Sequence, residues 1–287
     1  MTSTSSTPEI TNNITELPSV NELLDFVNSS RQPCVIRGAG NDLDIVRGCS
    51  CCTGIANSDD RKGIAWLAEQ AGSSVFRVFV SGPAQRESAK QSSIDRNTTP
   101  PSTFTLDGTS HPDAILTTSM SLEGTLADMM NNKDWKARYM VEDDIPEGRL
   151  QALIPARPPS PLLNAFVQDG SIDRADPIVK QRQLFVSFGP CQTQLHRDCF
   201  DNIYVCAFGE RHWTITAPND TLEREPGSVS AASSAYEASD DSVDFYRASL
   251  RAGDAIFVPA NFWHSVRSDE GASVALNWYY SPIITSK

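Results

Sequence analysis

No stretch of the sequence approaches the roughly 18 consecutive apolar residues of a membrane-spanning helix, which excludes that class of membrane protein. The opening residues, MTSTSSTPEITNN, carry neither the basic and apolar regions of a secretory signal nor the arginines of an organelle transit peptide. Residues 1–18 are therefore expected to form a flexible tail. A basic patch is missing as well: 24 Lys and Arg stand against 36 Asp and Glu, a formal net charge of −12 that repels phosphate backbones. Nucleic acid is not an expected partner. The cysteine count is seven, an odd number, and Cys34 in PCVIR and Cys206 in IYVCAF sit in strand-like apolar runs. Such a pattern in a chain this long fits reduced thiols and a cytoplasmic or nuclear location rather than a disulfide-stapled secreted domain. Histidine is scarce at four residues, so each one has to be accounted for.

What is present reads as one domain over residues 19–287, mainly β with flanking helices. Ser19 with Glu22 three residues on makes a capping box, and the apolar spacing after it predicts a helix over 19–29. CVIR after Pro33 reads as a strand, residues 62–70 as a helix, and the alternating VFRVFV at 75–80 as a strand. A polar loop over 82–101, a helix over 122–130, a strand in RYMVED at 138–143 and a proline-rich connector at 155–161 follow. From Gln183 to about residue 281 the segments QLFVSFG, TQLHRD, NIYVCAFG, RHWTITAP, DAIFVPA, WHSVRS and ASVALNWYY are short, β-rich and separated by turn residues. That is the pattern of an antiparallel jelly roll. An insertion at 219–244, rich in Ser, Ala, Glu and Asp, reads as a surface excursion.

Chemistry concentrates in two of these segments. A strand sends alternate side chains to opposite faces, so in LHRD His196 and Asp198 share a face. A third candidate ligand, His264, follows a Trp in GDAIFVPANFWHSV. Taken alone, an HxD tripeptide is most often a satisfied histidine beside a hydrogen-bonding acid. With only four histidines, and two of them in strand-rich segments of one barrel-like half, the balance reverses. Two imidazoles and one carboxylate with three open positions form the facial triad of non-haem Fe(II) oxygenases. Cys49, Cys51 and Cys52 cluster without a fourth ligand nearby, so a structural role is favoured over zinc. His212 should face away from the site and His111 lies in a loop.

At TQLHRDCFDNIYVCAFGERHWTITAP and GDAIFVPANFWHSV, followed by SVALNWYY, the sequence resembles the JmjC-domain oxygenases, a cupin-like family. The likeness is to their small hydroxylase group, which includes factor inhibiting HIF and the lysyl hydroxylases. It is close over 183–280 and loose over 32–280. It implies a double-stranded β-helix, with His196, Asp198 and His264 as iron ligands and 2-oxoglutarate and O₂ as cosubstrates. It also implies contacts to 2-oxoglutarate from Thr193, Asn202, Asn277 and Tyr139. Because Thr193 and His196 would face opposite ways on an unbroken strand, this match needs a bend, for which Gly189 and Pro190 are the candidates. The family usually has Lys where Arg211 stands, and a guanidinium can grip the distal carboxylate through two parallel hydrogen bonds. Trp213 and Tyr279 have the strand parity to wall the same pocket. The dimer-forming helices of many relatives are not expected after Tyr280, which leaves the oligomeric state open.

The function expected from the resemblance is hydroxylation of a protein side chain, with an acidic surface suited to a basic segment. A small-molecule oxygenase of secondary metabolism and a catalytically silent cupin that only binds a ligand are the competing readings. A histone lysine demethylase is less favoured, since no chromatin-reading domain accompanies the core.

Overall fold

A computed structural model describes residues 12–17, 31–51, 61–71, 75–81, 105–106, 109–110, 114–121, 124, 138–142, 153–155, 179–188, 191–193, 195–218, 245–268 and 271–280. The expected helices at 19–29 and 122–130, the polar loop, the body of the acidic insertion, His111 and most of the proline-rich connector lie outside these residues.

Two antiparallel sheets face each other. The strands β1 (Asn12–Asn13), β10 (Cys191–Gln192), β11 (His196–Arg197), β13 (Glu210–Thr216), β14 (Tyr246–Arg251) and β16 (Trp263–Ser268) form the smaller sheet, in the order β1-β14-β13-β16-β10 with β11 also on β16. The larger sheet runs β2-β3-β15-β12-β17-β9-β8-β4-β7. Its members are β2 (Thr15–Leu17), β3 (Cys34–Ile36), β4 (Val75–Ser81), β7 (Ala114–Ser121), β8 (Arg138–Glu142), β9 (Val179–Phe188), β12 (Asp201–Phe208), β15 (Ala255–Val258) and β17 (Ala272–Tyr280). A separate pair, β5 (Thr105–Leu106) and β6 (Thr109–Ser110), stands alone. From β9 onward the chain passes back and forth between the sheets, which is the jelly-roll connection expected from the sequence.

Burial explains why the two sheets have different sequences. In β12 every residue is buried, because Ile203, Val205 and Ala207 join a cluster with the helices Asp44–Cys51 and Arg61–Ala71 while Tyr204 and Cys206 point between the sheets. A strand covered on both faces reads as a continuous apolar run. In β13, by contrast, Arg211, Trp213 and Ile215 are buried and His212 and Thr214 are half-buried, the alternation of a sheet with one wet face.

Two features depart from the sequence reading. Residues 12–17 are not a tail: β1 lies parallel to β14, β2 lies parallel to β3, and Ile14 between them is buried in the core. Arg37 holds this crossing by pairing with Glu16 and with Asp254. The strand β14 begins two residues after the acidic insertion and was not anticipated, because YRASLR alternates with Arg and Ser on its exposed side. The helix Asp44–Cys51 places Cys49 in the hydrophobic cluster with no exposure, as the structural reading of that cysteine expected. Cys34, Cys49, Cys199 and Cys206 are free thiols.

Candidate metal centre

Strand pairing brings the three candidate ligands together. His196 in β11 is the direct cross-strand partner of His264 in β16, and their rings lie 4.3 Å apart, centroid to centroid. Asp198 follows just beyond the two-residue strand β11, so the expected strand face is short, yet its carboxylate still turns inward. One ligand atom from each of the three residues lies within 4.8 Å of the others. All three side chains are buried.

The ligands are oriented before any metal arrives. His264 Nδ1 lies 3.0 Å from the Phe262 carbonyl oxygen. A carbonyl only accepts, so the proton sits on Nδ1 and the lone pair of Nε2 faces the site. Trp213 stacks on the same ring at 5.4 Å. Nε2 comes within 3.4 Å of Asp198 Oδ2, but that oxygen has no hydrogen-bond partner among the described residues. Burial pushes the Asp198 carboxyl up, but the adjoining His264 imidazole, His196 and the Tyr279 hydroxyl outweigh it and hold the carboxyl below its usual range. It is therefore ionised at neutral pH, the form a hard cation requires.

A small cavity opens beneath the triad between the sheets. His196, Asp198, Thr193, Asn202, Arg211 and Asn277 line it, and so do the aromatic walls Trp213 and Tyr279 that strand parity anticipated. Its volume is about 40 Å³. A larger hollow of about 500 Å³ lies on the smaller sheet beside His212, where no three metal-ligating groups converge among the described residues. His212 itself pairs with Ser249 and is turned away from the triad, as expected.

Thr193 reaches the cavity by a route that the sequence located only in part. Between the pairs Gln192↔Arg267 and His196↔His264, three residues on one strand face two on the other. The extra residue reverses strand parity, so Thr193 and His196 come to the same side. The register change lies after Thr193; Gly189 and Pro190, where a bend was expected, lie outside the described residues. Thr193 Oγ1 also accepts a hydrogen bond from Val266 N at 2.9 Å, which locks it to the His264 strand. Tyr139 is placed by backbone register alone: it stands opposite Ser187 of β9. Gln183, Phe185 and Tyr204 also line the cavity and were not anticipated. The signal was available, since Asn277 pairs directly with both Gln183 and Tyr204.

The cavity is polar beyond what its own atoms satisfy. Asn202 Oδ1, both amide atoms of Asn277 and Arg211 Nε are buried without hydrogen-bond partners among the described residues. Each such atom costs about 1–3 kcal/mol unless something fills the site. Arg211 is 2% exposed, its one hydrogen bond runs from Nη2 to the Ser273 carbonyl at 3.3 Å, and none of the ion pairs among the described residues includes it. A buried cation without a counter-ion calls for an anionic ligand. The donor set of two imidazoles and one carboxylate suits a divalent first-row metal, iron included.

Jelly roll and convergent His-Asp-His group together define a cupin-like domain with a side-chain group that could hold a metal. The sequence pattern of the cupin-like domain family matches residues 20–286, and the chain belongs to that family, which is of the JmjC type. No curated protein sequence matches it.

Proposed function

We propose that this protein is an Fe(II)- and 2-oxoglutarate-dependent dioxygenase of the small JmjC hydroxylase group, acting on a protein side chain. The observation that supports this most is the coexistence, in one cavity, of a three-residue group that could hold a metal and a buried arginine with no counter-ion among the described residues. A metal that leaves positions open and a dicarboxylate that needs its far end neutralised answer both features at once.

His196, Asp198 and His264 would hold the iron, which when bound with 2-oxoglutarate and O₂ supplies an oxidant able to hydroxylate an unactivated C–H bond. The chain's own part is binding and exclusion. Arg211 neutralises the distal carboxylate, Thr193 offers its remaining hydroxyl proton, and Asn277 offers an amide N–H donor that lacks a partner among the described residues, with Asn202 lining the same cavity. Tyr139 is proposed as a further hydroxyl donor from β8. Trp213 and Tyr279 keep water and other oxidisable groups away from the metal. A cavity of about 40 Å³ is well below the roughly 300–1,000 Å³ of a typical ligand pocket, so lining side chains rotate when cosubstrate enters. Arg211, held by one long bond, is the side chain best placed to swing.

A protein substrate is favoured by the net charge of −12, which attracts a basic segment. The test is succinate formation by the iron-loaded protein, with and without a library of basic peptides. Peptide-stimulated turnover with a mass gain of one oxygen on the peptide supports the reading. Turnover stimulated only by small molecules would move the protein to the second class, and no succinate under any condition would leave a binding cupin.

A further inference from the structure

The distal ligand His264 does not orient itself. Its ring is fixed by the carbonyl of Phe262, at the end of the turn Pro259–Ala260–Asn261–Phe262 that carries the chain from β15 in the larger sheet to β16 in the smaller. That turn is tied down at two points to the segment bearing the other ligands. Asn261 N donates to the Asp198 carbonyl at 2.7 Å, and Ala260 N donates to Asp201 Oδ1 at 2.8 Å. Asn261 is in the left-handed region at φ 69°, so the turn is a constrained one that relies on such ties. The Asp201 carboxylate is 1% exposed at the start of β12, and it also receives Arg31 Nη2 at 2.9 and 3.3 Å from the chain just before β3.

We infer that Asp201 is a positioning residue for the metal centre: clamped by Arg31, it holds the turn 259–262 so that Phe262 O aims the His264 ring at the site. The inference rests on the metal-binding reading of the triad. Asp201 itself touches neither metal nor cosubstrate; it acts through the turn. Partners that orient metal ligands in this way typically change metal affinity ten- to a hundredfold when removed.

Co(II), whose visible bands report its coordination, is the probe, titrated into the metal-free protein under anaerobic conditions. Asp201→Ala is expected to bind Co(II) ten- to a hundredfold more weakly than wild type, with altered visible bands. Asp201→Asn, whose amide oxygen still accepts from Ala260 N, is expected to stay within a few-fold of wild type. In the metal-free protein the ring Nδ1–H proton of His264 should be visible by NMR in wild type and in Asp201→Asn, and lost to solvent exchange in Asp201→Ala. Melting temperature is recorded in parallel, since a merely structural role would lower it and leave affinity, bands and the ring proton in place. If Asp201→Ala does not fold, Asp201→Glu, which displaces the carboxylate by one methylene, takes its place with the same expected loss. Unchanged Co(II) affinity and ring proton in whichever of the two folds would overturn the inference, as would an equal loss in Asp201→Asn. Failure of the wild type to bind Co(II) at all would instead overturn the metal reading and this inference with it.

Discussion

Arg211 carries more of the functional reading than any residue outside the triad, because it is a buried cation with no carboxylate partner among the described residues. If it anchors the distal carboxylate of the cosubstrate, Arg211→Ala should weaken 2-oxoglutarate binding by about thirty-fold to several-hundred-fold, corresponding to roughly 2–4 kcal/mol. Arg211→Lys should recover part of that, since the charge returns without the fork. The check is equilibrium titration of each variant, and equal affinity in wild type and Arg211→Ala would place the anchor elsewhere. Cysteines give a second test at this scale. Burial pushes the Cys34 thiol up to about 12, and burial, against a counteracting effect of Arg211, does the same for Cys206. Between about pH 9 and 12 the unfolded chain loses these protons and the folded one keeps them, so stability falls as pH rises through that window. The slope should be about 1.4 kcal/mol per pH unit per thiol. Denaturant titrations at pH 8, 9.5 and 11 measure it, and a Cys34→Ala variant should show a shallower fall. A thiol-alkylating reagent at neutral pH should modify the exposed Cys199 well before Cys34 or Cys206.

At the scale of elements, the cavity lining was legible because strand parity is simple: alternate residues in RHWTITAP and ASVALNWYY gave Arg211, Trp213, Asn277 and Tyr279 their common inward face. Parity failed where the ladder is irregular. Thr193 needed an inserted residue, whose position depends on pairing with β16 and is invisible in the local sequence. The N-terminal strands were illegible for a related reason. TEL is too short to show a period, and it is held by tertiary partners: Arg37 to Glu16, and Ile14 in the core. Removing residues 1–17 should therefore lower the melting temperature and promote aggregation, because it bares the edges of β3 and β14. A truncated protein as stable and soluble as the full chain would show that these strands contribute nothing. The turn before β15 makes a sharper test. Gly253 has φ 90°, and an added Cβ would stand 1.9 Å from Asn41 Oδ1. Gly253→Ala should cost on the order of 1–3 kcal/mol through backbone strain alone, with a further cost if Asn41 must move. Thermal melts of the variant decide it, and no loss of stability would mean that the turn relaxes freely.

For the whole molecule, the jelly roll explains why one small cavity is lined by both the His-Asp-His group and a buried arginine. Side chains from β11, its C-terminal end and β16 meet polar side chains from β12, β13 and β17 only because two sheets close over each other. The fold and the family were readable from sequence because motif and strand spacing agreed. The substrate was not, since what a closed cavity admits depends on side-chain motion and on surface shape. The excess of acidic residues predicts that turnover of a basic peptide falls steeply as salt rises, while binding of cosubstrate in the closed cavity changes far less. The central claim, that the His-Asp-His group holds iron beside a 2-oxoglutarate site, is tested most directly by anaerobic titration of Fe(II) and then 2-oxoglutarate into the metal-free protein, following the charge-transfer absorption of the ternary complex. Wild type should take up one Fe(II) and develop the band, and Asp198→Ala and His264→Ala should lose stoichiometric iron while keeping their fold. Full iron occupancy in either variant, or no band in the iron-loaded wild type, would contradict the account.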